Sequence, residues 1–276
     1  MRPIFVILSL LLCASFASGE TLRVMSYNVR YPAKGDGINR WELREDTFIR
    51  SIRAKNPDLI GTQELFYIQG ESIVKNLPEY EWFGNSRRGN REDEHMGVFY
   101  KRSKLRVIEC GNFWLSETPE VPGSQAWGAN LPRMVTWALF EIRESGKRFY
   151  FYNTHFHHTA DANQARVNSA KLIMDRIGKL PSDAPLVLTG DFNSAAPEAE
   201  AYKILTAHLK DARTTAGRVV GPEGTTSRFS GSEGGRRIDW ILYREGWTVL
   251  EYETVKYNED GRYPSDHYPV MALFEF

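Results

Sequence analysis

Apolar and polar residues alternate from the start of the chain's main body. In "TLRVMSYNVR", Leu22 and Val24 share a face with Ser26, and the run predicts a strand ending near Asn28. "YPAKGDGINR" breaks the pattern with Pro and Gly and reads as a loop. "WELREDTFIRSIRAKN" spaces Trp41, Phe48, Ile49 and Ile52 near a helical period, with Pro57 past its end. "DLIGTQE" predicts a short buried strand and "LFYIQGESIVKNL" a second, weaker helix. "HMGVFYK", "LRVIEC", "MVTWALFEI" and "RFYFYNTHF" read as four strands. The clearest helix is "ANQARVNSAKLIMDRIGKL", with Val167, Ala170, Leu172, Ile173 and Ile177 on or near one face. "APLVLTGDFN" is a buried strand running into a loop. Helix "EAEAYKILTAH" and strands "RIDWILY", "WTVLEYETV" and "YPVMALFEF" complete the chain.

No repeat and no domain linker interrupts this order. Strands outnumber helices and fall into two similar halves, each mixing both, which suits an α/β domain with two packed sheets and helices outside. One domain over residues 20–276 is expected. The longest irregular stretch, "GNFWLSETPEVPGSQAWGANLP" (111–132), is long for a loop in a compact domain, and such loops are often functional.

Composition narrows the function. Lys and Arg number 35, as do Asp and Glu, so the formal charge is zero. A general nucleic-acid binder carries a basic excess, so nucleic acid is not favoured as a partner, although "NSRRGNR" (85–91) and "GRR" (235–237) offer a local patch. Residues 1–19 read as a secretory signal: Arg2, an apolar run, then small residues up to Gly19. The run falls short of the ~20 residues of a membrane span. The expected product is a secreted or periplasmic monomer without stable membrane insertion. Removal of the signal takes Cys13 with it and leaves Cys110 alone, so no internal disulfide is expected; Cys110 reads as a small buried residue.

Polar residues gather at strand ends. Asn28 ends the first strand and Glu64 ends "LIGTQE". Asn153 and His155 close "FYFYNTHF", and Asp191 and Asn193 close "LVLTGDFN". Asp239 sits between apolar neighbours in "RIDWIL", and Asp266 and His267 precede the last strand. Burying such groups without partners costs energy, so the expectation is that they meet in one pocket. Carboxylates without cysteine suit a hard cation, Mg²⁺ or Mn²⁺. That set suits hydrolysis of phosphate esters by an activated water, with the metal polarising the phosphoryl oxygen.

"SYNVR", "TQE", "NTHF", "GDFN", "RIDWIL" and "SDH" stand in the order of the endonuclease/exonuclease/phosphatase superfamily, which the chain resembles over about residues 22–276. The resemblance implies a four-layer α/β/β/α sandwich of two packed mixed, mainly antiparallel sheets, with the site at one end. It implies Glu64 as the principal Mg²⁺ ligand, with Asn28 and Asp266 in or beside the coordination shell. Asp191 would align or deprotonate the water, jointly with His267, and Asn193 would orient phosphate. His267 would contact the scissile phosphate, held by Asp239. His155 would be the second phosphate-facing imidazole, with Glu94 in the place of its carboxylate partner.

The remaining candidates are weighed by environment. Arg133 opens a strand after the long loop and reads either as a substrate-phosphate contact or as a solvated strand start. Arg166 reads as an ordinary helix-surface residue, and His157 and His158 as surface or substrate-side groups. His95 and His208 read as structural, and Trp41, Trp114 and Trp127 as core or loop anchors. The expected function is a secreted metal-dependent phosphodiesterase or phosphatase. The alternatives are a nuclease acting on DNA or RNA, or an inactive binding protein on the same fold.

Overall fold

The computed structural model describes residues 19–276; the expected signal segment lies outside the described residues except for Gly19. The first half runs β1 (Thr21–Asn28), α1 (Trp41–Lys55), β2 (Leu59–Gln63), α2 (Tyr67–Asn76), β3 (Tyr80–Phe83), β4 (Val98–Lys101), β5 (Leu105–Trp114) and β6 (Met134–Ile142). The second runs β7 (Arg148–His155), α3 (Asn163–Gly178), β8 (Leu186–Asp191), α4 (Glu200–Thr206), β9 (Lys210–Asp211), α5 (Ala212–Thr215), β10 (Arg218–Val220), β11 (Asp239–Tyr243), β12 (Thr248–Thr254) and β13 (Val270–Glu275).

One sheet has the order β10-β12-β13-β1-β2-β4-β3 and the other β5-β6-β7-β8-β11-β9. Both are mixed and mainly antiparallel, as expected. At the heart of each lies a parallel pair, β1 with β2 and β7 with β8, joined by a helical crossover, α1 and α3 respectively. Leu22, Val24 and Leu59 of the first sheet pack on Phe149, Phe151 and Val187 of the second to form the central core. Tyr27, Ile60 and Phe99 on the outer face of the first sheet cover Phe48 and Ile52 of α1 and Ile73 of α2. Tyr152, Leu188 and Trp240 on the outer face of the second cover Ala170 and Ile173 of α3 and Leu205 of α4. The layers are therefore helix, sheet, sheet, helix.

This topology decides where polar strand ends meet. Parallel strands β1, β2, β7 and β8 finish at one end of the sandwich. Their antiparallel neighbours β4, β6, β11 and β13 start there, as the pairings Gly61 with Val98, Val135 with Thr154, Asp239 with Asp191 and Ser26 with Val270 show. Ends of the parallel strands and starts of the antiparallel ones thus share one rim, the place where open α/β sheets bind ligands.

Just inside the rim the two sheets touch through polar groups. Asn153 is fully buried; its Oδ1 accepts from Gln63 Nε2 (2.8 Å) and Thr189 Oγ1 (3.1 Å), and its Nδ2 donates to the Thr62 carbonyl (2.8 Å). A Cβ at Gly61 would land on Thr189 Oγ1 and Asn153 Oδ1, so glycine is what permits this approach. Asn153 is therefore a link between sheets rather than a site residue. His155, two residues on and on the same face of the strand, reaches the pocket beyond.

Several expectations need correction. β5 extends to Trp114, so it takes the first four residues of the stretch 111–132 expected to be irregular. Cys110 is exposed, because β5 is the outermost strand of its sheet and has β6 as its single neighbour there. Arg166 is buried and donates to the carbonyls of His157 (3.0 Å) and Thr159 (2.8 Å), fixing the turn after β7. β3, β9, β10 and α5 span two to four residues each, too few to show a period.

Candidate active site

The rim holds a cavity of about 480 Å³ lined by Glu64, Glu94, Arg133, His155, Asp191, Asn193 and His267, all singled out from the sequence. Asp191 is its centre. It is buried, its Oδ1 accepts the Asn193 N–H (2.9 Å), and its Oδ2 accepts from Asn28 Nδ2 (3.0 Å). The same Oδ2 lies 3.5 Å from His155 Nε2 and 3.9 Å from His267 Nε2, so one carboxylate stands between two imidazoles.

The two histidines differ in charge. His267 Nδ1 donates to Asp239 Oδ2 at 2.9 Å. Burial opposes its protonation, but Asp239, with Asp191 and Asp266 behind it, outweighs burial and holds its pKa well above the ordinary value. Its Nε2–H thus faces the cavity as a charged donor. Burial, reinforced by the Arg133 guanidinium, pushes His155 down to about 3. Asn193 Nδ2 donates to its Nε2 (3.0 Å), which leaves the proton on Nδ1. That Nδ1 is 3.6 Å from Glu94 Oε2, a long contact, because Glu94 is also drawn to Arg87 (3.0 Å) and Arg133 (3.4 Å). Glu94 is thus shared by three cationic or polar partners rather than dedicated to His155.

Glu64 follows β2 with a left-handed backbone (φ +58°), an unfavourable conformation for a non-glycine residue. The surroundings hold it there: Oε1 accepts from Asn28 Nδ2 (3.1 Å) and Oε2 from the Tyr31 N–H (3.1 Å). Strain of this kind concentrates at functional sites. Asn28 Oδ1 accepts the Arg30 N–H (3.0 Å), which fixes the amide orientation. Its Nδ2 consequently bridges Glu64 and Asp191, so Asn28 braces two carboxylates. Burial raises the Asp266 pKa, with His267 opposing the rise and Glu64 adding to it.

The donor set fits a hard divalent cation. Glu64 Oε2 and Asp266 Oδ2 each lie 3.9 Å from the same atom, Arg30 Nη1, so positive charge already stands between these two carboxylates. Oxygen ligands without cysteine match Mg²⁺ or Mn²⁺ chemistry. Asp191, Asp239 and His267 also converge within 4.8 Å, but His267 Nδ1 is already committed to Asp239, which makes that trio a proton-holding unit.

Of the residues lining the cavity, Arg30, Tyr31, Phe66, Arg87 and Leu131 carry no site reading in the sequence. Arg30 is the last letter of "SYNVR" and is locked to Asp36 by two hydrogen bonds (2.8 and 2.9 Å). Arg87 belongs to the stretch expected to form a surface patch, yet it is buried and paired with Asp93 (2.9 Å). Phe66 packs beside Tyr31, ring centroids 6.2 Å apart. The solvated-strand reading of Arg133 is set aside, since it is buried, lines the cavity and contacts His158 Nδ1 (3.3 Å). His157 is buried against Asn130 (2.9 Å) rather than at the surface, and His158 is the exposed one. His95 is buried within the fold, His208 is exposed, and Trp41 and Trp114 are buried anchors.

Comparison with known proteins bears on the fold and the family. An uncharacterized protein of Acanthamoeba polyphaga mimivirus is 28% identical over 278 residues, spanning 92% of this chain and 100% of that one. The crystal structure of an endonuclease/exonuclease/phosphatase family protein from Bacteroides thetaiotaomicron matches with a TM-score of 0.88 and 32% identity, over 94% of this chain and 98% of that one. A mannosyl-6-phosphatase from the same organism matches with a TM-score of 0.86 and 32% identity, over 92% and 100%. The model of the Endonuclease/Exonuclease/phosphatase family matches residues 25–267, and the chain belongs to that family.

Proposed function

We propose that the chain is a secreted phosphatase that hydrolyses small phosphate monoesters with Mg²⁺ or Mn²⁺. One observation carries the reading: the wall of the cavity facing Asp191 is made of buried guanidiniums. Arg133 and Arg87 are 5% and 8% exposed, both line the cavity, and the two guanidiniums share the single carboxylate of Glu94 (3.4 and 3.0 Å). Burial depresses the Arg133 pKa, and Glu94 compensates only in part. Such a wall wants a compact, doubly charged anion. A monoester phosphate supplies it, whereas a diester carries one charge and a second arm that must find room. The cavity volume suits a small ligand. The zero formal charge and the mannosyl-6-phosphatase among the neighbours support the same reading, and the leader-like residues 1–19 support secretion. No helix among the described residues is long and apolar enough to cross a membrane.

Glu64 and Asp266 would hold the ion, which when bound neutralises the phosphoryl oxygens. Arg87 and Arg133 bind the phosphate from the opposite side. Asn193 orients it, and His267 Nε2–H donates to a phosphoryl oxygen. Asp191 takes a proton from the attacking water as the new P–O bond forms; the ester P–O bond breaks, and the alkoxide takes its proton from solvent. Arg133→Met is expected to lower kcat/KM for p-nitrophenyl phosphate by about 100-fold, in line with the loss of a charge-assisted hydrogen bond. Residual cleavage of the diester bis-p-nitrophenyl phosphate should fall much less. Equal losses on both substrates would contradict the role given to this wall.

A further inference from the structure

A second cavity of about 470 Å³ lies across His267 from the first. His267 lines both cavities, and Asp266, Thr226, Arg228, Ser232, Gly234, Gly235 and Arg236 form the rest of the second. Its chemistry is one-sided. Arg228 and Arg236 are exposed, and neither guanidinium has a hydrogen-bond or ion-pair partner among the described residues, although the pocket wall includes both. Asp266 is its one acidic wall residue, and that carboxylate faces Arg30 on the other side. Thr226 and Ser232 add hydroxyls. The neighbouring Glu233 is bonded to Lys256 (2.5 Å) and so does not neutralise the pocket.

The loop that carries these groups is built onto the active site. The Ser227 and Arg228 N–H groups both donate to the Asp266 carbonyl (2.7 and 2.8 Å), and Tyr268 N–H donates to the Thr225 carbonyl (2.7 Å). Thr226 pairs with His267 as an isolated antiparallel bridge. Arg228 and Phe229 are consecutive left-handed residues (φ +51° and +58°), a conformation that neither side chain favours. A Cβ at Gly235 would fall on Thr226, so the far limb of the loop is pressed against the near one. Bracing and strain together set Arg228 at the pocket beside the residue that holds the phosphoryl oxygen.

Resting on the phosphatase reading, we propose that this pocket is a second anion subsite, which takes a phosphate or carboxylate carried by the alcohol part of the substrate. The preferred substrates are then monoesters of alcohols that are themselves anionic. With the scissile phosphate in the first cavity, a sugar-sized spacer across His267 presents its other charged group to Arg228 and Arg236, with Thr226 and Ser232 as neutral donors.

The test compares kcat/KM for glucose 6-phosphate, 6-phosphogluconate and glucose 1,6-bisphosphate, in wild type and in the double variant Arg228→Ala/Arg236→Ala. The expected result is a preference of about tenfold or more for the two doubly anionic substrates, as one or two charge-assisted hydrogen bonds supply. The variant should bring the ratio close to one while melting at the wild-type temperature. Which of the two anionic substrates leads tells phosphate from carboxylate. A wild-type ratio near one, or a ratio unchanged in the variant, would overturn the proposal while leaving the phosphatase reading standing. If no monoester is turned over, the phosphatase reading fails, and calorimetry in EDTA decides the subsite separately. Tighter binding of glucose 1,6-bisphosphate than of glucose 6-phosphate, lost in the double variant, supports it, and equal binding refutes it. Should the double variant fail to fold, Arg228→Gln alone carries the same comparison.

Discussion

Glu64→Gln is expected to cut kcat for phosphate-ester hydrolysis by about 10³-fold or more, on the scale of losing a principal electrostatic stabiliser and its metal. The side chain lines the cavity, and glutamine keeps its length. What changes is charge. The carboxylate accepts from Asn28 Nδ2 on one oxygen and from the Tyr31 N–H on the other, so both surroundings are donors. An amide can satisfy only one of them with oxygen and must turn its NH₂ toward the other. An ion held there would lose an anionic ligand at the same time. Melting should stay within a few degrees of wild type, which separates this outcome from unfolding. Activity within tenfold of wild type, measured with saturating Mg²⁺, would remove Glu64 from the metal site.

Asp239→Asn should have the second largest effect, a loss of about 10²–10⁴ in kcat/KM, the range for disabling a positioned acid or base. Asp239 is buried at the start of β11, paired in register with Asp191, and its one contact with chemistry is His267 Nδ1. The carboxylate is the main reason why the His267 pKa stands well above the ordinary value near 6.5 despite burial. Activity that needs His267 protonated is present below that raised pKa and is lost as pH rises through it. With asparagine in place of Asp239, burial prevails and the pKa falls, so the alkaline limb of the pH–rate profile moves to lower pH. Linkage has the same sign: the stability that protonated His267 contributes is complete below its unfolded pKa and disappears as pH rises through the folded one. The variant should therefore lose stability chiefly at neutral and acidic pH. A simple drop in rate with an unmoved profile would reduce Asp239 to a packing role.

Much of this arrangement is legible in the letters because strand ends are local features. Asp191 and His155 fall at the last residues of β8 and β7, and alternation plus strand length places both without knowledge of the partners. Asp239 stands out for a similar reason: a carboxylate amid apolar strand residues needs a partner, and His267 supplies it. The layer order is likewise implicit in two parallel strand pairs, each bridged by a helix. What escapes is whatever depends on how loops fold back. Arg87 and Arg88 are adjacent and chemically identical, yet Arg87 is buried in the cavity wall and Arg88 is exposed, because Glu94 and Asp93 are brought beside one and only Asp93 beside the other. Arg166 has a helix-surface position by period, but its long side chain turns under the loop after β7. Asn28 shows the converse: its place was readable, while the direction of its amide is set by a single N–H two residues on.

The proposed metal-assisted monoester hydrolysis in the Asp191 cavity is tested by the rate of p-nitrophenyl phosphate hydrolysis against that of bis-p-nitrophenyl phosphate, with Mg²⁺ or Mn²⁺ and again after EDTA. The monoester is expected to be cleaved faster, and EDTA to abolish the rate until metal is returned. Faster cleavage of the diester, or monoester hydrolysis that persists in EDTA, would contradict the proposal.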